Sequence, residues 1–222
     1  LPVVYAEQDG VLYNEMHGYV EDMDGASMRD SVIGVSEDHK VGLALEKYNA
    51  QIKSVSYEVR SLDMSRLIEG GDDLQAEDDG KYLHVSLTLK DLLTQGEEYL
   101  LVLKVQTEDQ DLVRFYSILT YLGTNHVQDC VDFAQRFHEM TLTGDSDGVL
   151  NYLEQDGSMD GKNLGYINIH SRSGPVTWGD MQVVETGETS LRFTDLESDI
   201  TALTMEYQAT NTETSEQYQV RE

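Results

Sequence analysis

The sequence predicts a mainly β protein whose final part is α+β, and three observations carry that prediction. Apolar residues alternate strictly through most of residues 1–121. The stretches between those runs are polar and rich in Gly and Asp. A strong helical stripe begins only after Gly123.

Each β element of the first part rests on a period of two, which places one strand face on a core. The pattern runs through Val41, Leu43 and Leu45, then Val55, Tyr57 and Val59, then Leu83, Val85, Leu87 and Leu89. It resumes at Tyr99, Leu101, Leu103 and Val105 and again at Val113 and Phe115. Residues 61–80 and 108–111 have the composition of turns. Short strands at this spacing, with no helical pattern between them, predict a β-sandwich over 1–121.

A local motif sharpens this. Leu93, Gly96 and Tyr99 stand at the spacing L-x-x-G-x-x-Y, with Gln95 where the usual form has proline. This segment resembles the corner before strand F of fibronectin type III domains and related Ig-like sandwiches. The resemblance implies strands B and C at 40–46 and 52–60, and a Tyr99 hydroxyl bonded back to upstream backbone. It implies a fold and no function, because such sandwiches host many roles.

The second domain is expected over 124–222. Val127, Cys130, Val131, Ala134, Phe137 and His138 follow helical spacing, with Thr124 or Asn125 as N-cap and Asp129 and Asp132 near the first turn. A polar break at 143–147 precedes a second helical run at Val149, Leu150, Tyr152 and Leu153. Strands are expected at 166–170, 176–186, 190–193, 200–209 and 217–221, the last two as a hairpin. Phe137, Gly144, Asp145, Asp147, Leu150, Tyr152 and Leu153 resemble the helix-pair pattern of nuclear-transport-factor-two-like domains. That resemblance implies two helices packed on a curved antiparallel sheet. A pocket inside such a cone would be lined by residues such as Tyr152, Tyr166, Trp178 and Tyr207. The chain opens on Leu1 and stops inside a strand, so a piece of a longer, anchored protein is expected.

Charge narrows the functional classes. The 222 residues carry 15 Lys and Arg against 42 Asp and Glu, a net charge of −27. Residues 1–121 hold 10 basic and 24 acidic side chains and the remainder 5 and 18, so the acidity is general. Nucleic-acid and anionic-lipid surfaces are poor partners for it, because both are bound by Lys and Arg. No run of about 20 apolar residues is present to insert in a membrane. A single cysteine, Cys130, excludes internal disulfides and thiolate zinc clusters.

The sharpest candidate site is a calcium loop. With Thr143 at position 1, Asp145, Asp147 and Glu154 fall at positions 3, 5 and 12 of an EF-hand loop, and Gly148 at its turn. Thr143 supplies no carboxylate, and the same Asp145 would serve equally as the N-cap of the second helix. Acidic clusters at Asp22 and Asp24, and at Asp72, Asp73, Glu77, Asp78 and Asp79, read as solvated loop charge. His126 lies one turn before Cys130, but the cysteine sits on the apolar stripe, where a thiol behaves as a small hydrophobe. His138 and Glu139 start a zinc-protease motif that Leu142 breaks. No nucleophile elbow, phosphate loop or dinucleotide fingerprint occurs.

The reading that results is a non-catalytic extracytoplasmic or cell-surface module of a bacterial surface or secreted protein, with no cofactor. Its expected partners are a protein or a cell-surface glycan. A calcium-dependent binding or regulatory domain, and a small-molecule pocket or enzyme in the second domain, are the competing readings.

Overall fold

A computed structural model of the chain describes residues 1–28, 31–72, 74–90, 93–109, 112–123, 126–143, 145–152, 181–196 and 201–221. The chain packs as two compact units, Leu1–Gln128 with Leu191–Thr204, and Asp129–Ser190 with Met205–Glu222. The sequence division at 121/124 differs from this at two places: the first unit runs on to Gln128, and residues 191–204 group with it. Nothing in their composition marks that return, which is a matter of long-range pairing.

The first unit begins with β1 (Val3–Gln8) and β2 (Val11–Met16), a hairpin closed by Asp9 and Gly10 at φ of 51° and 82°. Two consecutive left-handed residues are what a tight Asp-Gly hairpin turn needs. There follow β3 (Val32–Ser36), β4 (Lys40–Glu46), β5 (Ile52–Ser61), β6 (Leu67–Gly71), β7 (Ala76–Asp78), β8 (Tyr82–Thr88), β9 (Glu98–Thr107) and β10 (Leu112–Gly123). They build two five-stranded sheets, ordered β2-β1-β4-β8-β7 and β3-β10-β9-β5-β6. Neighbours run antiparallel except β3, which lies parallel to β10. The predicted strands at 40–46 and 52–60 are β4 and β5. They enter different sheets, and β9 separates β5 from β10.

The alternation predicted from sequence appears in the burial of most of these positions, though Leu83 is half-buried and β9 is buried on both faces over 99–103. Val41, Leu43, Leu45, Val85 and Leu87 of the first sheet are buried. Val55, Tyr57, Val59, Leu101, Leu103, Val105, Val113 and Phe115 of the second are buried as well. Each such side chain contributes about 1.5–3 kcal/mol on burial. On the other face of the second sheet, Leu100, Val102, Tyr116 and Ile118 form a smaller core against Tyr19, Met23, Met28, Val32, Leu62 and Met64. Tyr19 exchanges two backbone hydrogen bonds with Arg114, at 2.8 and 2.7 Å, which pins the β2–β3 connection over that face. The connection makes a 3-10 turn at Gly25–Ser27. A Cβ on Gly25 would lie 2.4 Å from Leu100 Cδ2 and 2.9 Å from Met64 Sδ, so a larger residue would have to displace those side chains.

The stretch 61–80, expected as turn, contains β6 and β7. Both are edge strands, and all three residues of β7 are exposed. Backbone pairing alone makes them strands, so no apolar alternation announces them.

The corner before β9 has the predicted bond. Thr94 and Glu97 close a turn (Glu97 N to Thr94 O, 3.1 Å) with Gly96 at φ 77°, the left-handed third position of a type II turn. The Thr94 N–H donates to the Tyr99 hydroxyl at 2.9 Å, and that hydroxyl donates to Glu97 Oε2 at 3.2 Å. Gly96 N–H bonds Tyr121 O at 2.9 Å and ties the corner to β10.

The second unit contains most of α1 (Val127–Thr143), then α2 (Ser146–Tyr152), and parts of β11 (Val183–Leu196) and β12 (Thr201–Asn211) with β13 (Gln217–Arg221). These strands form one sheet in the order β11-β12-β13. The β12–β13 hairpin is as predicted, with Thr210 opposite Gln217 and Glu206 opposite Arg221. The strand expected at 166–170 and the start of that expected at 176–186 lie outside the described residues. From residue 183 onward the two strands expected at 176–186 and 190–193 are one, β11, which runs through Gly187 at φ 87° without ending.

Candidate functional site

Asp145 sits just before α2 and its carboxylate is spent on the helix start. Oδ1 accepts the Gly148 N–H at 2.9 Å, and its carbonyl accepts the Val149 N–H at 3.0 Å. This is an N-cap. A Cβ on Gly148 would lie 2.4 Å from Asp145 Oδ2, so this glycine makes room for the cap. Asp147 belongs to the first turn of α2, while its side chain and Glu154 lie outside the described residues. Among the described residues no group of three or more His, Cys, Asp or Glu is placed to hold a metal.

Of the residues proposed for a pocket in the second domain, the two described, Tyr152 and Tyr207, have separate surroundings. Tyr152 lies against the half-exposed Phe133, ring centroids 4.9 Å apart. Tyr207 is buried to 1% exposure, its ring edge-on to His138 at 4.3 Å. His138, itself buried, faces Glu185 Oε2 through Nε2 at 3.0 Å. Tyr166 and Trp178 lie outside the described residues. Cys130 is a partly buried free thiol, as its place on the helical stripe suggests.

Among the described residues, a cleft of about 550 Å³ lies in the first unit beside the Tyr99 corner. Val32, Leu62, Leu122 and Leu196 give it apolar walls, and Glu98, Thr120 and Thr194 give it polar ones. Strand parity explains the lining, since Glu98, Thr120 and Leu122 continue the face of β9 and β10 that carries Leu100 and Ile118. Gly34 keeps the cleft compact. A Cβ there would come 3.1 Å from Leu122 Cδ1 and 3.6 Å from Leu196 Cδ1. Gln95, also at the cleft, donates its amide to Leu122 O at 3.3 Å. Sequence reasoning found the corner and missed the cleft, because its walls come from separated segments that only strand register assembles.

A second concentration of polar groups occupies the outward side of the first sheet. His84 Nδ1 lies 2.7 Å from Glu7 Oε2 and its Nε2 lies 3.1 Å from Asp79 Oδ2. Hydrogen bonds to Glu7 and then Asp79 hold the imidazole pKa above its ordinary value. Asp79 is lowered in turn, first by the Tyr82 N–H and then by His84. The two carboxylates sit on opposite ring nitrogens, so the three groups do not converge on one point as metal ligands must.

No protein-family model and no curated protein matches this chain. Among solved structures it is similar to the crystal structure of CopC from Methylosinus trichosporium OB3b, at 16% sequence identity and a TM-score of 0.30. That match covers 48% of this chain and 94% of the other.

Proposed function

We propose that the chain is a non-catalytic binding module that works outside the cytoplasm and holds a partner, a protein segment or a surface glycan, in the cleft beside the Tyr99 corner. The cleft is the observation that carries this reading. Apolar walls with a few placed polar groups are the chemistry of binding, since they bury a ligand's body and fix its ends. General acid–base chemistry calls for paired titratable groups, and the named lining pairs no second carboxylate, His or Cys with Glu98. The strand order of the two sheets supports reading the first unit as Ig-like or fibronectin III-like. For the second, α1, α2 and the β12–β13 hairpin support helices against a curved sheet, as in nuclear-transport-factor-two-like domains. The extracytoplasmic placement rests on the sandwich resemblance.

The test is a ¹H–¹⁵N titration of the full chain with benzylamine, benzyl alcohol and benzoate. Benzylamine should shift the amides of Gly96, Thr120, Leu122 and Thr194 with a millimolar Kd, the alcohol less, and benzoate not at all. Thr120→Trp should fill the cleft and remove the response. Shifts scattered over the surface, or equal for ammonium and carboxylate, would refute the reading.

A further inference from the structure

The outward side of the first sheet carries tyrosines among its carboxylates. Val4, Ala6, Leu43, Leu45 and Val85 are buried on one side, so period two puts Tyr5, Glu7, Glu46, Tyr82 and His84 on the other. Register places Glu46 beside Tyr82, and Ala44 between Tyr5 and His84. Ala44 is 0% exposed although it points outward, so its larger neighbours cover it. Tyr5 and Tyr82 meet edge to face with centroids 6.3 Å apart. Burial first, then the charges of Glu15 and Glu46, push the Tyr5 hydroxyl pKa far above its usual value. Tyr48, in the turn after β4, is 65% exposed beside the same Glu46.

One ammonium already sits in this setting. Lys81 Nζ lies 4.8 Å from the centroid of the Tyr82 ring and 3.6 Å from Glu46 Oε1. An aromatic face and a carboxylate closing on a cation together make an ammonium subsite. The Lys81 side chain is 49% exposed, so it can be displaced. The nearby Lys47 ammonium is engaged elsewhere, 2.5 Å from Asp78 Oδ1.

We propose that this face docks a lysine-bearing segment of a partner protein, and that Lys81 is an internal occupant of the position the partner's lysine takes. The net charge of −27 favours such a partner, and the tyrosines give the face a specificity that charge alone lacks. The proposal is independent of the cleft, which lies at the second sheet.

The experiment is fluorescence anisotropy of the full chain with a labelled octapeptide of alternating Lys and Ser, and with the same peptide Nε-acetylated. The lysine peptide should bind and the acetylated one should not. Lys81→Gln should tighten binding about threefold to tenfold by emptying the subsite. Lys90→Gln makes the same charge change at an exposed position beyond the end of β8, where its backbone N–H bonds Glu69 of β6, and should alter it less than about twofold. Tyr82→Leu should weaken binding about tenfold. If that variant unfolds, the exposed Tyr48→Ala should weaken it in the same direction. Equal gains from Lys81→Gln and Lys90→Gln would reduce the effect to net charge and overturn the proposal. So would equal binding of the acetylated peptide, or dimerisation of the chain competing with the peptide in sedimentation.

Discussion

Asn14 and Phe193 stand 179 residues apart, yet they pair as two strands would. The Phe193 N–H donates to Asn14 Oδ1 at 2.5 Å, and Asn14 Nδ2 donates to Phe193 O at 3.0 Å. The same Nδ2 reaches Val32 O at 2.7 Å. Asn14 is 0% exposed and takes a φ of 51° at a bulge, where the β1–β2 register slips between Val4 opposite Met16 and Ala6 opposite Tyr13. Asparagine tolerates that left-handed backbone better than most residues. One amide side chain thus joins β3 and β11, and the buried Phe193 ring packs edge-on to Tyr13 at 5.1 Å.

Replacing Asn14 by leucine removes partners from one buried N–H and two carbonyls. The expected loss is about 3–5 kcal/mol, read from urea unfolding. Asn14→Asp keeps the acceptor but aims a buried charge at two carbonyl oxygens. Burial raises such a carboxyl's pKa, and once protonated it can donate again. The gap between Asn14→Asp and wild type should therefore be wide at pH 7 and narrower at pH 5. An Asn14→Leu variant within 1 kcal/mol of wild type would show that water replaces the amide.

How legible this was in the sequence depended on how local each cause is. Val41, Leu43 and Leu45 announce β4 because they fill its inward side, while the outward side carries Lys40, Gly42 and Glu46 beside a covered Ala44. Leu93, Gly96 and Tyr99 announce the corner because the bonds that Tyr99 makes to Thr94 and Glu97 close within six residues. Leu100 and Val102 were illegible as a second core, since their cover comes from Tyr19, Met23 and Met28, far off in the chain. Asn14 reads as one polar residue among many, and neither the cleft nor the Tyr82–Lys81–Glu46 subsite has a spacing. Strand register creates them.

The corner separates a conformational effect from a hydrogen-bonding one. No atom lies within 4 Å of a Cβ on Gly96, so Gly96→Ala should cost about 1 kcal/mol purely through its φ of 77°. Tyr99→Phe should also cost about 1 kcal/mol by removing the hydroxyl that Thr94 and Glu97 share. Gln95→Pro enters the second position of a type II turn, where proline is preferred, but removes the bond to Leu122 O. A change within about 0.5 kcal/mol is expected, measured as a shift in the urea midpoint at constant slope. A large loss in Gln95→Pro would mean that the side-chain bond holds the corner.

His84 makes stability depend on pH in a defined direction. Its pKa in the folded protein lies above the ordinary 6.5, because Glu7 and Asp79 hydrogen-bond the charged ring. Protonation therefore favours the folded state. The contribution is complete below about pH 6.5 and disappears as pH rises through the folded pKa. Between pH 6 and 8.5 the melting temperature of wild type should fall relative to that of His84→Gln, which cannot titrate. Parallel curves across that window would mean that the ring gains nothing from its two carboxylates.

Asp145 can be assigned to helix capping or to metal binding by one pair of variants. Asparagine caps a helix as well as aspartate, while alanine does not. If Asp145 acts through the Gly148 N–H, Asp145→Asn should stay within about 0.5 kcal/mol of wild type and Asp145→Ala should lose about 1 kcal/mol. Calcium and magnesium should then raise the melting temperature of all three proteins equally, by screening the charge of −27. A bound ion would behave otherwise, because a ligand specific to the folded state stabilises by RT ln(1 + [L]/Kd). A calcium-specific rise in wild type that is lost in Asp145→Asn would return the carboxylate to a metal site and overturn its assignment as a cap.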